Sequence, residues 1–173
     1  LPNPDEKWVL IGGPPCQAYS LVGRSRRTGE KDFYEDVKHT LYLEYLHIVK
    51  EFKPTVFVME NVKGLLSART AKGESGVSTL GLILQDMKDL GYAVHSLVVE
   101  GDDPDPTDYV IRAEKFGVPQ RRHRVILLGV RDAAGLGSPR TLTESGHEAT
   151  VESVLSDLPV IRSLVSRGDD ERE

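Results

Sequence analysis

The chain is poor in the residues that would announce several common functions. Its 173 residues contain one cysteine, one tryptophan and two methionines, and aromatic residues make up 6% of it. A single thiol, Cys16, permits no internal disulfide, which fits a reducing compartment and otherwise says little. The five histidines, His39, His47, His95, His123 and His147, show no ligand spacing, and with one cysteine no metal site is expected. No apolar run approaches the ~20 residues needed to cross a bilayer, and no signal peptide is visible, so no membrane association is expected. A net charge of -5 gives no overall basic signature for nucleic acid. The hydrophobic share is low at 39%, charged residues reach 28%, and there is no internal repeat. A chain of this length still predicts one domain with a sizeable core.

What is present is unevenly placed. Arg24, Arg26, Arg27 and Lys31 cluster in one segment, Arg121, Arg122 and Arg124 in another, and the C-terminus is acidic. Local basic patches bind phosphates even on an acidic protein. The stretch from Trp8 to Ser20, WVLIGGPPCQAYS, organises the rest. Its apolar run Val9 to Ile11 reads as a buried strand, and Gly12, Gly13, Pro14 and Pro15 stop it sharply. Cys16 is thereby delivered just past a strand end on a rigid loop, where α/β proteins place reactive groups.

Residues 17 to 38 show little periodicity, and so long a connection in a small domain is usually functional or mobile. From His39 to Phe52, Leu41, Tyr42, Tyr45, Leu46, Ile48, Val49 and Phe52 recur at the spacing of one helix face, ended by Lys53-Pro54. Thr55 to Met59, followed by Glu60-Asn61, predicts a second buried strand. Residues 63 to 77 read as loop. Ser78 or Thr79 caps a helix carrying Leu80, Ile83, Leu84, Met87 and Leu90, closed by Gly91. Ala93 to Glu100 is a third strand, Ile111 to Gln120 is irregular, Arg124 to Val130 is a fourth strand, and Thr150 to Leu158 makes a short helix. The final GDDERE reads as disordered.

Alternating strands and helices predict an α/β fold with a mostly parallel sheet, an antiparallel final strand and helices on the faces. The first two strands should be parallel neighbours joined by a right-handed crossover. Cys16 and Glu60 then face one crevice at the carboxyl edge. If the last strand returns antiparallel, it begins at that same edge, and Arg122 and Arg124 point towards the pair. A thiol is a strong nucleophile once ionised, and a nearby arginine raises the ionised fraction. A carboxylic acid can protonate a ring nitrogen, and arginine can hold a ring carbonyl oxygen. These residues by themselves are compatible with any acid-assisted thiol addition.

Three stretches resemble successive motifs of the C5-cytosine DNA methyltransferase family, in the family's order: GGPPCQAYS, MENVKGLL from Met59 to Leu66, and FGVPQRRHRVILLGVR from Phe116 to Arg131. Thr40-Leu41 fits the motif between the first two, and TVESVLSDLP, Thr150 to Pro159, is similar to a segment near the start of the family's target-recognition region. The resemblance implies a partial Rossmann-like methyltransferase fold, with residues 1–131 as the central part of the catalytic core and 132–173 as the start of target recognition and a partly disordered tail. It implies that Cys16 attacks C6 of a flipped-out cytosine, that Glu60 hydrogen-bonds N3 and the exocyclic amine, and that Arg124 contacts O2. S-adenosylmethionine is the implied cofactor, contacted by Pro15 and Leu41, while Pro14, Gln17, Asn61, Gln120 and Arg122 are implied to bind substrate. The basic segment of 17–38 is implied to close over DNA phosphates.

The implied partner is double-stranded DNA, with a cognate restriction endonuclease as a genetic partner, in a bacterial cytoplasm. The family's opening Phe-x-Gly-x-Gly loop and acidic ribose residue do not occur ahead of the cysteine loop, and its last two motifs do not follow Pro159, so the chain resembles the middle of such an enzyme. Alternatives are a tRNA-directed member of the same family, whose Pro-Pro-Cys and Glu-Asn-Val motifs are shared, and a non-catalytic nucleic-acid-binding remnant. A thiol hydrolase fits poorly, since His123 is the one histidine in the predicted crevice segments.

Overall fold

The computed structural model of the protein describes residues 7–14, 38–69 and 78–159. Its five-stranded sheet has the order β1-β2-β5-β3, with β4 also pairing β5. The strands are β1 (Val9–Gly12), β2 (Val56–Val62), β3 (Tyr92–His95), β4 (Val110–Arg112) and β5 (His123–Arg131). β1 and β2 are parallel neighbours, as expected. β5 runs antiparallel to β2, β3 and β4, so four strands share one direction and the last opposes them. Three helices accompany the sheet among the described residues: α1 (Lys38–Phe52), α2 (Thr79–Asp89) and the short α3 (Val151–Leu155).

The core follows from strand alternation. Phe57, Met59 and Asn61 of β2 are buried together with Val125 and Leu127 of β5, which stand on the same sheet face. Helix α1 turns Tyr42, Tyr45 and Val49 onto this face, and α2 adds Leu80, Ile83 and Met87. The Tyr45 ring meets Phe57 edge-on, with centroids 6.2 Å apart. The Tyr42 hydroxyl donates to the Asp86 carboxylate and ties α1 to α2. Each such buried side chain contributes about 1.5–3 kcal/mol of apolar burial. Ser78 caps α2 by accepting from the Gly81 amide at 3.3 Å, and Gly91 ends it at φ 81°, a left-handed conformation that glycine adopts without strain.

One glycine sets the fit between β2 and β5. Gly129 stands opposite Phe57, and a Cβ built on it would lie 1.9 Å from the Phe57 ring. The ring therefore lies across bare backbone, a place no larger residue can occupy.

Four expectations require correction. β1 is a strand but not a buried one: Val9 is 54% and Ile11 75% exposed. Both residues point away from α1 and α2, and among the described residues β1 pairs with β2 alone, so a continuous apolar run here is covered by them on one side. The third strand ends at His95 rather than Glu100. The Ser96 hydroxyl donates to the Asp108 carbonyl and accepts from the Val98 and Val99 amides, a local turn that outcompetes the ladder. The stretch expected to be irregular contains β4 and a 3-10 turn, Ala113–Phe116. Three residues are too few to show a period of two. Lys63–Ser67 is likewise a 3-10 turn rather than open loop, held by buried Leu65. The acidic tail lies outside the described residues.

Two outcomes test this packing. Gly129→Ala should destabilise the fold by at least ~1–3 kcal/mol, the range for overpacked cores, measured as a lower urea midpoint at unchanged slope; an unchanged midpoint would contradict the Phe57 fit. Tyr92 donates to the Pro54 carbonyl at 2.7 Å, and burial pushes its phenol from 10.0 up to about 12 against the opposing pull of Arg131. The folded state thus favours the neutral phenol. Its contribution is fully present below pH 10 and is lost as pH rises through about 12, so Tm should fall over that window, and less steeply in Tyr92→Phe.

Candidate active site

The β2–β5 register builds a polar edge. Val62 pairs with Arg124 and Glu60 with Ile126, so Glu60 and Arg124 are diagonal neighbours on one sheet face. Arg124 Nε lies 2.7 Å from Glu60 Oε1. The contact is a close ion pair rather than an aligned hydrogen bond, since the buried Nε–H has no acceptor in line. A second arm of the guanidinium, Nη1, donates to the His123 carbonyl at 2.8 Å. The side chains are 41% exposed for Glu60 and 25% for Arg124. Such a pair contributes about 0–1 kcal/mol to stability, so its value lies in orientation.

The cysteine loop begins against this pair. A Cβ on Gly13 would lie 3.1 Å from Glu60 Oε2, so the strand end passes close over the carboxylate, and a side chain there would press on a carboxylate whose other oxygen Arg124 holds. Glu60 is thereby divided: Oε1 belongs to Arg124 and Oε2 faces the loop. Asn61, 2% exposed, donates from Nδ2 to the Pro14 carbonyl at 3.3 Å and accepts from the Val62 amide at 2.9 Å. Its amide pins the loop's first turn to the end of β2.

Arg124 has its own support. His123 Nε2 lies 2.8 Å from Glu114 Oε1, joining the 3-10 turn after β4 to the start of β5. The Glu114 carboxyl is held below its ordinary value, first by the hydrogen bond from His123 and then by its own backbone amide, with Arg121 adding to the effect. His123 is half-buried and paired.

The structure therefore brings together Glu60, Asn61, Pro14 and Arg124. Gln120 and Arg122 stand exposed in the turn before β5, where the Gln120 amide donates to the Val118 carbonyl and the Arg122 amide to the Gln120 carbonyl. Pro15, Cys16, Gln17 and the basic cluster at 24–31 lie outside the described residues, and of Leu41 only the helical backbone is described. Gly13 and Glu114 were missed by sequence reasoning. A glycine between two turn residues gives no sign of what it touches, and the nine-position offset from Glu114 to His123 matches no local period.

Four co-directional strands with a reversed last strand, and a polar edge at their carboxyl ends, define a Rossmann-like α/β fold. A solved structure described as a DNA modification methyltransferase of an E. coli prophage shares it, with a TM-score of 0.57 and 24% identity over 88% of this chain and 35% of that one. The chain belongs to the C-5 cytosine-specific DNA methylase family, whose model matches residues 2–168. It is 39% identical over 157 residues to the type II methyltransferase M.Bpa9945I of Bacillus paralicheniformis, and 33% identical over 159 residues to M.DdeI of Desulfomicrobium norvegicum. Each match covers 89% of this chain and 33% of the relative, so the chain spans about a third of their length.

Asn61→Ala should cost ~1–3 kcal/mol, because it empties a buried position and leaves a part-buried carbonyl and a part-buried amide short of their partners. Amide exchange should quicken selectively at Gly12, Gly13 and Val62, and uniform protection in the variant would show that Asn61 does not pin the loop.

Proposed function

We propose that this chain carries the catalytic edge of a DNA (cytosine-5)-methyltransferase. The observation that carries the reading is the divided carboxylate, with Glu60 Oε1 held by Arg124 and Oε2 turned to the loop that leads two residues beyond Pro14 to Cys16. A flipped cytosine presents, on one side of its ring, an amine, a ring nitrogen and a carbonyl oxygen. Glu60 Oε2 would accept from the exocyclic amine, and the carboxyl would serve N3. Arg124, one partly exposed residue away, would swing a guanidinium N–H to O2. The Cys16 thiolate would add to C6, its electron pair forming the S–C6 bond while the ring's electrons move towards N3, where the proton supplied through Glu60 is taken up. C5 becomes nucleophilic and takes up the methyl group; a base then removes the C5 proton, the electron pair of that bond restores the ring double bond as the S–C6 bond breaks and frees the thiolate, and N3 returns its proton to the Glu60 carboxylate.

S-adenosylmethionine is the methyl donor this family membership points to, and when bound it supplies an electrophilic methyl to C5. The end of β1 suits a nucleoside in outline: it is the carboxyl end of a parallel strand, and exposed Gly13 leaves the backbone there free of a side chain. Pro15 and Leu41 are the residues we assign to holding it, with Pro14, Gln17, Asn61, Gln120 and Arg122 towards the substrate. The matched relatives are bacterial type II methyltransferases, which supports double-stranded DNA as substrate, a partner endonuclease of the same specificity, and a cytoplasmic setting. Among the described residues no helix is long and apolar enough to cross a membrane.

The test is trapping. Duplex DNA containing 5-fluorocytosine, incubated with the protein and S-adenosylmethionine, should give a covalent adduct resistant to denaturant, absent in Cys16→Ala and at least ~10²-fold slower in Glu60→Gln. An adduct formed with tRNA and not with duplex DNA would transfer the reading to RNA, and adduct surviving Cys16→Ala would end it.

A further inference from the structure

The guanidinium of Arg124 is only as well placed as the strand end that carries it. His123 is the first residue of β5 and lies one residue beyond the β2 ladder, which ends with Val62 opposite Arg124; on the other side β4 offers three partners, Val110, Ile111 and Arg112, opposite Val125, Arg124 and His123. Strand ends of this kind fray unless something beyond the ladder holds them. Two contacts do so. The Ala113 amide donates to the Arg122 carbonyl at 3.1 Å, and the Glu114 carboxylate grips the His123 ring at 2.8 Å. The second is the stronger candidate for control. Glu114 is 14% exposed, and its other oxygen, Oε2, is enclosed with no hydrogen bond to another residue among those described, so the carboxylate accepts a desolvation cost in order to sit where it does. A carboxylate serving only as surface charge would turn to water. The residue it grips supplies the carbonyl that takes Arg124 Nη1, and Arg124 Nε in turn faces Glu60. A chain of contacts thus runs from Glu114 to the His123 ring, through the His123 backbone to Arg124, and on to Glu60.

We propose that Glu114 is a positioning residue, acting through His123 to fix the Arg124 guanidinium at the angle from which it serves both Glu60 and the substrate carbonyl. The inference rests on the proposed function for its catalytic consequence, but its structural half stands without it. Glu114 touches no reacting atom. Releasing it frees the start of β5 and lets the guanidinium rotate off the His123 carbonyl, and a misplacement of ~1 Å in a reacting group costs on the order of 10²-fold in rate.

The experiment uses the full chain and two readouts. The side-chain Nε–H of Arg124 is assigned in a proton–nitrogen NMR spectrum by its loss in Arg124→Lys. In Glu114→Ala this signal should move to the position of a solvent-exposed arginine and exchange faster, while Glu114→Gln, which keeps a hydrogen bond to His123, should restore most of the original shift. The rate of 5-fluorocytosine adduct formation at saturating DNA should fall at least ~10-fold in Glu114→Ala with apparent DNA affinity unchanged, and recover in Glu114→Gln. An Arg124 signal identical to the parent's in folded Glu114→Ala overturns the proposal. If that variant does not fold, His123→Phe removes the same grip while keeping the ring, and the same unchanged signal overturns it. Should the parent form no adduct at all, the proposed function fails, while the NMR readout still decides the positioning role.

Discussion

The pairing of β2 with β5 is the constraint from which the rest of the structure follows. Its register runs from Val56 opposite Val130 to Val62 opposite Arg124. A slip of one residue would turn every side chain of β5 to the other face, carrying Arg124 in among the helices and Leu127 out of the core. Hydrophobic alternation opposes such a slip, but the sharper lock is steric. Phe57 needs bare backbone opposite it, and Gly129 provides it. The polar edge is therefore positioned by an apolar contact several residues along the same ladder. Glu60 and Arg124 meet because Phe57 and Gly129 fit.

The energies have the same order. The core side chains of α1, α2, β2 and β5 each contribute ~1.5–3 kcal/mol, whereas the half-exposed Glu60–Arg124 pair contributes ~1 kcal/mol at most. The pair cannot hold the sheet together, and the sheet has no need of it. A contact so cheap to break suits two groups that must exchange partners with an arriving base. The poorly aligned Nε–H of Arg124 fits that use, since a group already satisfied by a linear hydrogen bond would have more to lose in turning.

Much of this was legible in the sequence because it depended on long or two-sided signals. The parallel β1–β2 pair follows from strand runs of usable length and from connection rules, while the meeting of Glu60 with Arg124 followed only on the condition that β5 returns antiparallel, which it does. The Ser78 cap and the Gly91 stop carry chemistry of their own. What stayed hidden was short or relational. β4 has three residues; β3 stops at His95 because one hydroxyl, on Ser96, offers its neighbours a better turn. The exposure of Val9 and Ile11 depends on which sheet face the helices cover, and an apolar run does not record that. Gly13 and Glu114 matter only through what lies opposite them, and nothing in their own neighbourhood of sequence names Glu60 or His123.

The two strand ends at this edge are coupled in a way that bears on any chemistry performed there. Asn61 follows Glu60 directly in β2, and its side chain reaches back to Pro14, so the residue after the acid holds the loop that leads to the thiol. Gly13, between them, passes so close over the carboxylate that only its missing Cβ leaves room. Contacts thus run from the start of the loop to Glu60, from Glu60 to Arg124 and, through His123, to Glu114. Placement comes from the backbone contacts at Pro14 and His123, while the Glu60–Arg124 contact stays cheap to open, and groups held near their working positions in this way act strongly on a bound ring.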